Sequence, residues 1–355
     1  MQMDKSRKKE TAIAVDAMGG DLGPTEVVEA VKLARQQIAD LGKLILVGDE
    51  AVLEPELKRL SLSTDSEIEI HHASEVIGMD EKPLQSIKRK RDSSIVRAID
   101  LVKQGDAAAL ISCGNTGALM AGGTIRLRTL AGVDRPALAS VIPNQKKHFI
   151  LIDAGANPES RPENLVHNAI LGSNYSKIAL GVESPRVGLL TIGTEEGKGN
   201  ELTHQTHDLL KRIDGIINYS GPIEGFQVFD NWVDVVVCDG FVGNILLKTC
   251  ESLFHTLKNY LTEELTRNPV RKMGAFLAMG AFKEMKEQLN PDSYGGAPLL
   301  GLKGNILKAH GSSNRIAIMN AIRIGNEMIA HNVNEHILDE IAQANLLIDS
   351  KEVPA

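Results

Sequence analysis

Apolar positions along the chain fall into short continuous runs, separated by glycine-rich turns and by longer amphipathic stretches. Residues 11–18 (TAIAVDAM) read as a strand, and Pro24, after the turn at 19–23, suits the first turn of a helix reaching about residue 39. Strands are expected at 43–47 and 68–71, with a helix near 52–60 between them. Residues 108–111 form another buried strand, which turns through Ser112, Cys113 and Gly114 into a helix opening at Asn115 and Thr116. Further strands are expected at 138–142, 149–153 and 186–193, with a helix over 162–180. Residues 233–239 (VDVVVCD) make the most apolar strand, expected to be central and covered on both faces. This alternation predicts an α/β fold, a mostly parallel sheet with helices on both faces in three layers.

The period changes after Gly240. A long helix to about residue 265, a break at Asn268-Pro269 and a second helix over 270–289 read as an αα-hairpin, 241–289, inserted in a single α/β domain spanning 11–350. In its second arm Val270, Met273, Phe276, Leu277, Phe282 and Met285 recur at helical spacing, with Arg267, Arg271 and Lys272 beside the break. Such a stripe suits a tip resting on an anionic membrane, and equally a face packed on its partner helix or a second subunit. A short strand ends near Lys308, and a long amphipathic helical region follows from about residue 314 to 347. The charged start, residues 1–10 (MQMDKSRKKE), lacks the apolar core of a signal peptide and is expected to be a disordered, solvated tail.

Composition narrows the function classes. Hydrophobic residues at 43% can fill a large core, and 32 glycines against one Trp and seven Phe suit tight βα turns more than base stacking. A net charge of −7 disfavours a general nucleic-acid surface, so no nucleic-acid partner is expected. Cys113, Cys238 and Cys250 have no paired spacing, which indicates neither a disulfide framework nor a zinc site and fits a reducing, cytoplasmic setting. No apolar run reaches the length of a membrane span.

The chemistry concentrates where strands end. Five junctions carry small and polar groups: DAMGGD, SCGNTG, GTEEGKGNE, CDGFVGN and AHGSS. In an open parallel sheet such turns are expected on one edge, where α/β proteins bind ligands. They supply glycine-exposed N–H groups, hydroxyls, Asn amides, one Lys and one His, a set suited to holding a phosphate-like anion. The first βα turn has no G-x-G-x-x-G, and the loop around Lys198 lacks phosphate-loop spacing, which argues against dinucleotide binding and NTP hydrolysis. No cluster of His, Cys or carboxylates suggests a metal, and no cofactor is expected. Lys88, Arg89, Lys90 and Arg91 crowd one helix end, readable as a solvated terminus or as a patch for an acidic partner.

The motifs together resemble those of the bacterial phosphate acyltransferases of phospholipid synthesis. The stretches are IAVDAMGGD (13–21), ISCGNTGALMAG (111–122), GVDRPALA (132–139), LIDAGAN (151–157), SPRVGLLTIGTEEGKGNEL (184–202), VVVCDGFVGN (235–244), YGGAPLLGL (294–302) and KAHGSS (308–313). They run in order through nearly the whole chain and are jointly specific. The resemblance implies a three-layer fold like that of the isocitrate and isopropylmalate dehydrogenases, a homodimer, and no metal or nucleotide. It further implies transfer of a fatty acyl group from acyl carrier protein to inorganic phosphate, at the inner face of the membrane beside a membrane glycerol-phosphate acyltransferase. Cys113 stands where the family usually carries Ala, which argues against a catalytic thiol.

Under that reading Ser112, Gly114, Asn115, Thr116 and Lys198 are assigned to phosphate, and Asn200 or Asn244 to the oxyanion. Asp239 orients its neighbours, and His310 orients phosphate or returns a proton to the thiolate. Lys88–Arg91 are assigned to carrier docking, and Val270, Met273, Phe276 and Leu277 to membrane contact. Two rivals remain: a dehydrogenase of the same fold, and a non-catalytic scaffold that binds acyl carrier protein at the membrane. The missing Asp and Arg clusters disfavour the first, and the convergent polar turns the second.

Overall fold

The computed structural model describes residues 12–195, 197–289 and 296–349; the tail expected over 1–10 lies outside them. The chain opens with β1 (Ile13–Asp16), α1 (Pro24–Gln37), β2 (Leu44–Gly48), α2 (Glu50–Arg59), β3 (Ile68–His72), α3 (Pro83–Arg89), α4 (Ser94–Gln104) and β4 (Ala109–Ser112). Next, α5 (Thr116–Gly122) runs on through a π-helical turn at Gly123–Leu127 to β5 (Ala137–Pro143) and β6 (His148–Ile152). These are followed by α6 (Pro162–Ala179), β7 (Arg186–Thr191), α7 (Glu201–Arg212), β8 (Asn218–Glu224) and β9 (Val235–Val237). The remainder holds α8 (Gly240–Thr266), α9 (Pro269–Leu277), α10 (Met279–Leu289), β10 (Ala297–Leu300), β11 (Asn305–Lys308), α11 (Arg315–Ala330) and α12 (Val333–Asp349).

The strands form one sheet in the order β3-β2-β1-β4-β11-β10-β5-β6-β9-β7-β8. Neighbours are parallel except across β11-β10, β10-β5 and β5-β6. The fold is thus α/β, three-layered and mostly parallel. Every residue of β1, β2, β4 and β9 is buried, as continuous apolar strands covered on both faces require. The outermost strand β3 (IEIHH) buries none of its residues, and its charged and polar side chains guard the edge.

The three antiparallel steps overturn one expectation. β1, β4 and β11 point one way, whereas β6, β9 and β7 point the other. The five polar junctions therefore do not share one sheet edge. Those after β1, β4 and β11 end one half of the sheet, and those after β7 and β9 end the other, oppositely running half. The reversal begins at β5–β6, joined by a turn in which Asn144 Oδ1 accepts the N–H groups of Lys146 (3.0 Å) and Lys147 (2.6 Å).

The two faces of the sheet are covered differently. On one, an unbroken core spans both halves: Val27 and Val31 of α1, Leu165 and Tyr175 of α6, Ile318 and Ile322 of α11 and Ile337 and Ile341 of α12 pack with β1, β4, β6 and β9. On the other face there are two cores. Ile95 and Ile99 of α4 and Leu119 of α5 cover Ala14, Leu110 and Ile306, while Val228 and Leu246 cover Phe149, Leu151 and Val236. Ala156, in the turn after β6, packs against both. A cleft opens where the two cores part.

Two helical expectations change in detail. The second arm of the hairpin is broken again at Ala278, between α9 and α10. The C-terminal region is also two helices, divided at Asn332, which takes the left-handed conformation at φ 47°. Within α8, Gly243 sits directly over the carbonyl oxygen of Asp153, leaving no room for a Cβ, whereas nothing lies within 4 Å of the corresponding point at Gly274 in α9. Alanine is ordinarily worth about 0.5–1 kcal/mol over glycine in a helix. Gly274→Ala is therefore expected to raise the unfolding midpoint slightly, while Gly243→Ala lowers stability by about 1–3 kcal/mol through overpacking. Denaturant melts of the two variants check this; equal shifts of the same sign would refute the close fit at Gly243.

Candidate active site

Asp16, Ser112 and Lys308 close β1, β4 and β11 and lie side by side in register, so their side chains leave the same face of the sheet. The Ser112 hydroxyl donates to Asp16 Oδ2 (2.7 Å) and accepts the Gly114 N–H (3.0 Å). Burial pushes the Asp16 carboxyl up, against the Ser112 hydroxyl and the Met18 N–H, which favour its charged form. A Cβ at Gly114 would lie 2.7 Å from Ile95 Cδ1, so any larger residue there displaces the end of that side chain. Lys308 is partly buried, and burial pushes its ammonium down from the usual lysine range. Asp16 and Asp21 oppose that shift and Lys248, reaching over from α8, adds to it. Lys308 donates to the Ala309 carbonyl and, among the described residues, has no ion-pair partner.

Asn115 caps α5: its Oδ1 accepts the Ala118 N–H (2.9 Å), and its Nδ2 faces the carbonyls of Gly78, Met79 and Glu81 at 2.9–3.2 Å. The side chain is fully committed to the protein, so any contact of Asn115 with an anion falls to its backbone. Thr116 is exposed beside it. His310 is exposed with Nδ1 turned to Ser312 Oγ (2.8 Å), and Asp21 N–H donates to the Gly311 carbonyl (2.8 Å), tying the β1 and β11 turns together.

The oppositely running half carries Lys198, Asn200, Asp239 and Asn244, of which Asn200 and Asp239 line one cavity. Asn200 forms a capping box on α7, its Oδ1 accepting the Thr203 N–H (2.9 Å), which leaves the amide Nδ2 as a donor. Asp239 caps α8 through Val242 N–H (2.9 Å). Lys198 is exposed on the loop between β7 and α7, with its carbonyl 2.7 Å from His204 Nε2. Asn244, exposed in the first turns of α8, lies against Gly155, where a Cβ would sit 3.2 Å from its Oδ1. Asn200, Asp239, Thr191 and the apolar Leu165, Leu189 and Val242 line a cavity of about 450 Å³.

The turn after β6 links the two halves. Asp153, completely buried, accepts from the N–H groups of Leu138 (3.2 Å), Gly155 (3.0 Å), Ala156 (2.7 Å) and Asn157 (2.8 Å) and from Asn157 Nδ2 (2.8 Å). Burial raises its pKa despite these donors. The Asn157 carbonyl then takes the Gly240 N–H (2.9 Å) at the start of α8. On its other side the turn faces a cleft of about 500 Å³, whose opposite wall is formed by α3 and α5.

Asp16, Lys308, Asp153 and Asn157 were not among the residues singled out from sequence. A signal for three of them existed: an ionisable residue closing an apolar strand, as in IAVD, LID and ILK, is out of place unless the site uses or pairs it. The cysteines are excluded as nucleophiles. Burial pushes the Cys113 thiol up to about 12 and the Cys238 thiol well above its usual range. Among the described residues no group of His, Cys, Asp and Glu could hold a metal ion.

Of the basic run, Lys90 is tied inward, to Glu81 (2.5 Å) and the Val76 carbonyl (2.7 Å), and holds the Glu81 carboxyl down at about 2. Lys88, Arg89 and Arg91 are exposed. Val270, Met273, Phe276 and Leu277 are all exposed on α9, Leu277 at 79%.

Comparison with known proteins places this arrangement. Two phosphotransacetylase structures share the fold: one from Streptococcus pyogenes at TM-score 0.59 and 14% identity, covering 92% of this chain and 96% of that one, and the EutD phosphotransacetylase of Staphylococcus aureus at TM-score 0.55 and 16% identity, covering 90% and 94%. By sequence, the chain is 43% identical over 329 residues to a phosphate acyltransferase of Geobacter sulfurreducens, spanning 93% of this chain and 94% of the relative. It is 44% identical over 330 residues to a phosphate acyltransferase of Desulfitobacterium hafniense, spanning 93% and 97%. The family model described as "Fatty acid synthesis protein" matches residues 11–336. The chain belongs to the fatty acid synthesis protein family.

Proposed function

We propose that the chain transfers a fatty acyl group from acyl carrier protein to inorganic phosphate, forming an acyl phosphate for phospholipid synthesis. With phosphate acyltransferases at 43–44% identity over 93% of its length, it is an acyltransferase; the carrier-bound donor and the phospholipid destination are our reading. The observation that carries the phosphate side is Lys308. A partly buried ammonium without an ion-pair partner, in register with Ser112 and near a second lysine, is costly unless an anion completes the site.

In this reading Lys308 joins Lys198 and the backbone of Gly114, Asn115 and Thr116 in holding phosphate, with Ser112 positioning the turn. A phosphate oxygen attacks the thioester carbonyl carbon, and the oxyanion that develops is met by the amide of Asn200 or Asn244. The C–S bond then breaks, giving acyl phosphate and the carrier thiolate, which takes a proton from His310 or solvent. A thiol of pKa near the ~8.5 of free cysteine leaves without a strong acid. Asp239 serves by fixing the start of α8. No covalent enzyme intermediate is required, in keeping with the buried thiols.

Lys88, Arg89 and Arg91 offer an exposed cationic surface to the acidic carrier. The exposed apolar faces of α8 and α9 favour a homodimer along α8, where Leu253, Leu257 and Tyr260 recur at helical spacing, with the α9 tip on the membrane. Arg267 and Arg271 both pair with Glu264, which leaves Lys272 as the least compensated cation of the break. No described helix is long and apolar enough to cross a membrane.

Three outcomes are expected. Purified protein releases free carrier from acyl carrier protein only when phosphate is present, with acyl phosphate detected by mass spectrometry. Release without phosphate, or a requirement for a nicotinamide, would overturn the reading, and carrier binding without turnover would favour the scaffold. Lys198→Ala and Lys308→Met each raise the phosphate KM about ten- to a hundredfold, the loss of a charge-assisted contact worth roughly 1.5–3 kcal/mol; an unchanged phosphate dependence removes that lysine from the site. In flotation with anionic vesicles, Phe276→Asp combined with Leu277→Asp reduces recovery in the lipid fraction. Equal flotation by a variant that stays active shows that α9 is not the anchor.

A further inference from the structure

The helix that leaves the SCGNTG turn is apolar on the wrong side. Ala118, Leu119 and Gly122 of α5 face the core. A surface helix would carry charge on its opposite face, yet there the sequence places Gly117, Met120, Ala121, Thr124 and Ile125 at successive turns, without one ionisable group. These five residues line the cleft of about 500 Å³. Leu84 of α3 and Pro136 and Ala156 from the opposite half complete an apolar lining, with Asp134, Arg135 and Asn157 at its polar margin. Ile125 is 54% and Leu84 56% exposed, so the protein leaves this surface uncovered. Gly117 packs so closely on Pro83 that a Cβ would lie 2.5 Å from its Cγ, which fixes α3 against α5 as one wall.

The geometry points to this cleft as the binding site for the acyl chain of the thioester donor. The inference rests on the acyl-transfer reading above and specifies where its apolar substrate lies. Three observations select the acyl chain as occupant. The volume falls within the range of small-molecule sites, and the walls are aliphatic with few polar groups. One end of the groove is the start of α5, joined directly to the turn of Ser112 and Gly114, so a chain lying along α5 directs its carbonyl end toward the phosphate site. The wall helix α3 carries Leu84 in the groove and Lys88 one turn further along the same face, with Arg89 and Arg91 following. A carrier that is acidic meets those cations while its acyl arm enters beside Leu84. The cavity under α7 and α8 has only Lys198 beside its rim at Gly199, rather than a run of exposed cations, and the Asp239 carboxylate stands in its lining.

The test uses full-length protein and a non-hydrolysable thioether, S-hexadecyl-pantetheine, with S-butyl-pantetheine as the short-chain control. Ala121→Trp, which fills the groove, weakens hexadecyl binding by about tenfold or more in calorimetry and leaves butyl binding within about twofold, since only the long chain reaches the blocked part of the groove and loses buried methylenes there. Leu84→Gln, at an exposed position in the first turn of α3, does the same to a smaller degree and is not expected to unfold the protein. A hexadecyl analogue carrying a mid-chain diazirine cross-links to the peptide containing residues 117–125. Unchanged hexadecyl binding in both variants, or cross-linking to Leu202 or Val242 of the other cavity, overturns the assignment. The two proposals fail separately. Acyl phosphate formation with unaltered chain binding in the variants rejects the groove alone, and chain binding lost in the variants of a protein that makes no acyl phosphate rejects the reaction alone.

Discussion

Asp153, immediately after β6, lies inside the protein with no ion-pair partner among the described residues, and five N–H donors converge on its carboxyl group. A bare carboxylate in that position would be costly enough to protonate or to draw in water. Satisfying it instead requires the chain to curl back over residues 154–157, and the rest of the cleft follows from that curl. The turn sets Ala156 between the two cores of the divided face and holds Leu138 of β5 through its N–H. It also offers the Asn157 carbonyl to the first residue of α8. Gly243 then rests on the Asp153 carbonyl oxygen, so the direction of the 27-residue α8 is set at its root by the same residue.

The divided face is where chemistry has room. On the other side of the sheet, α1, α6, α11 and α12 pack over one continuous core. Where the strand direction changes for good, at β5–β6, helices following the two halves do not cover the sheet in one layer, and a gap is left between α3–α5 and the turn after β6. Lys248 of α8 comes close enough to Lys308 to press its ammonium further down, while pairing with Glu251 at 2.7 Å. Lys308 thus stands among charges of both signs, with Asp16 and Asp21 on its own half of the sheet.

Beyond the body of the fold, α8 to α10 show the opposite economy of surface. Leu253, Leu257, Tyr260, Val270, Phe276 and Leu277 are all exposed there. Gly274 and Gly280 in this region have no neighbours within reach of a Cβ, consistent with helices that touch little of their own chain.

Several features were written locally enough to be read without the fold. Apolar runs of four to five residues fully buried in β1, β2 and β4, Pro24 opening α1, and the break at Asn268-Pro269 are each determined by neighbours in sequence. The caps at Asn115, Asn200 and Asp239 are local too; Asn115 and Asn200 read from sequence as ligand donors, whereas their helices claim the side-chain oxygens. The antiparallel β5–β6 pair was also legible in principle, because the few residues between the two runs are too short for a parallel crossover. Edge strand β8 escaped notice because its polar, half-exposed sequence carries no apolar run. What only the tertiary structure decided is which junctions meet. The alignment of Asp16, Ser112 and Lys308 depends on β4 pairing with both β1 and β11, strands far from it in sequence, and the bridging place of Ala156 depends on two cores that no local window contains. Sequence periodicity reports which face of an element is covered; strand order and direction, which set what covers it, are properties of the whole sheet.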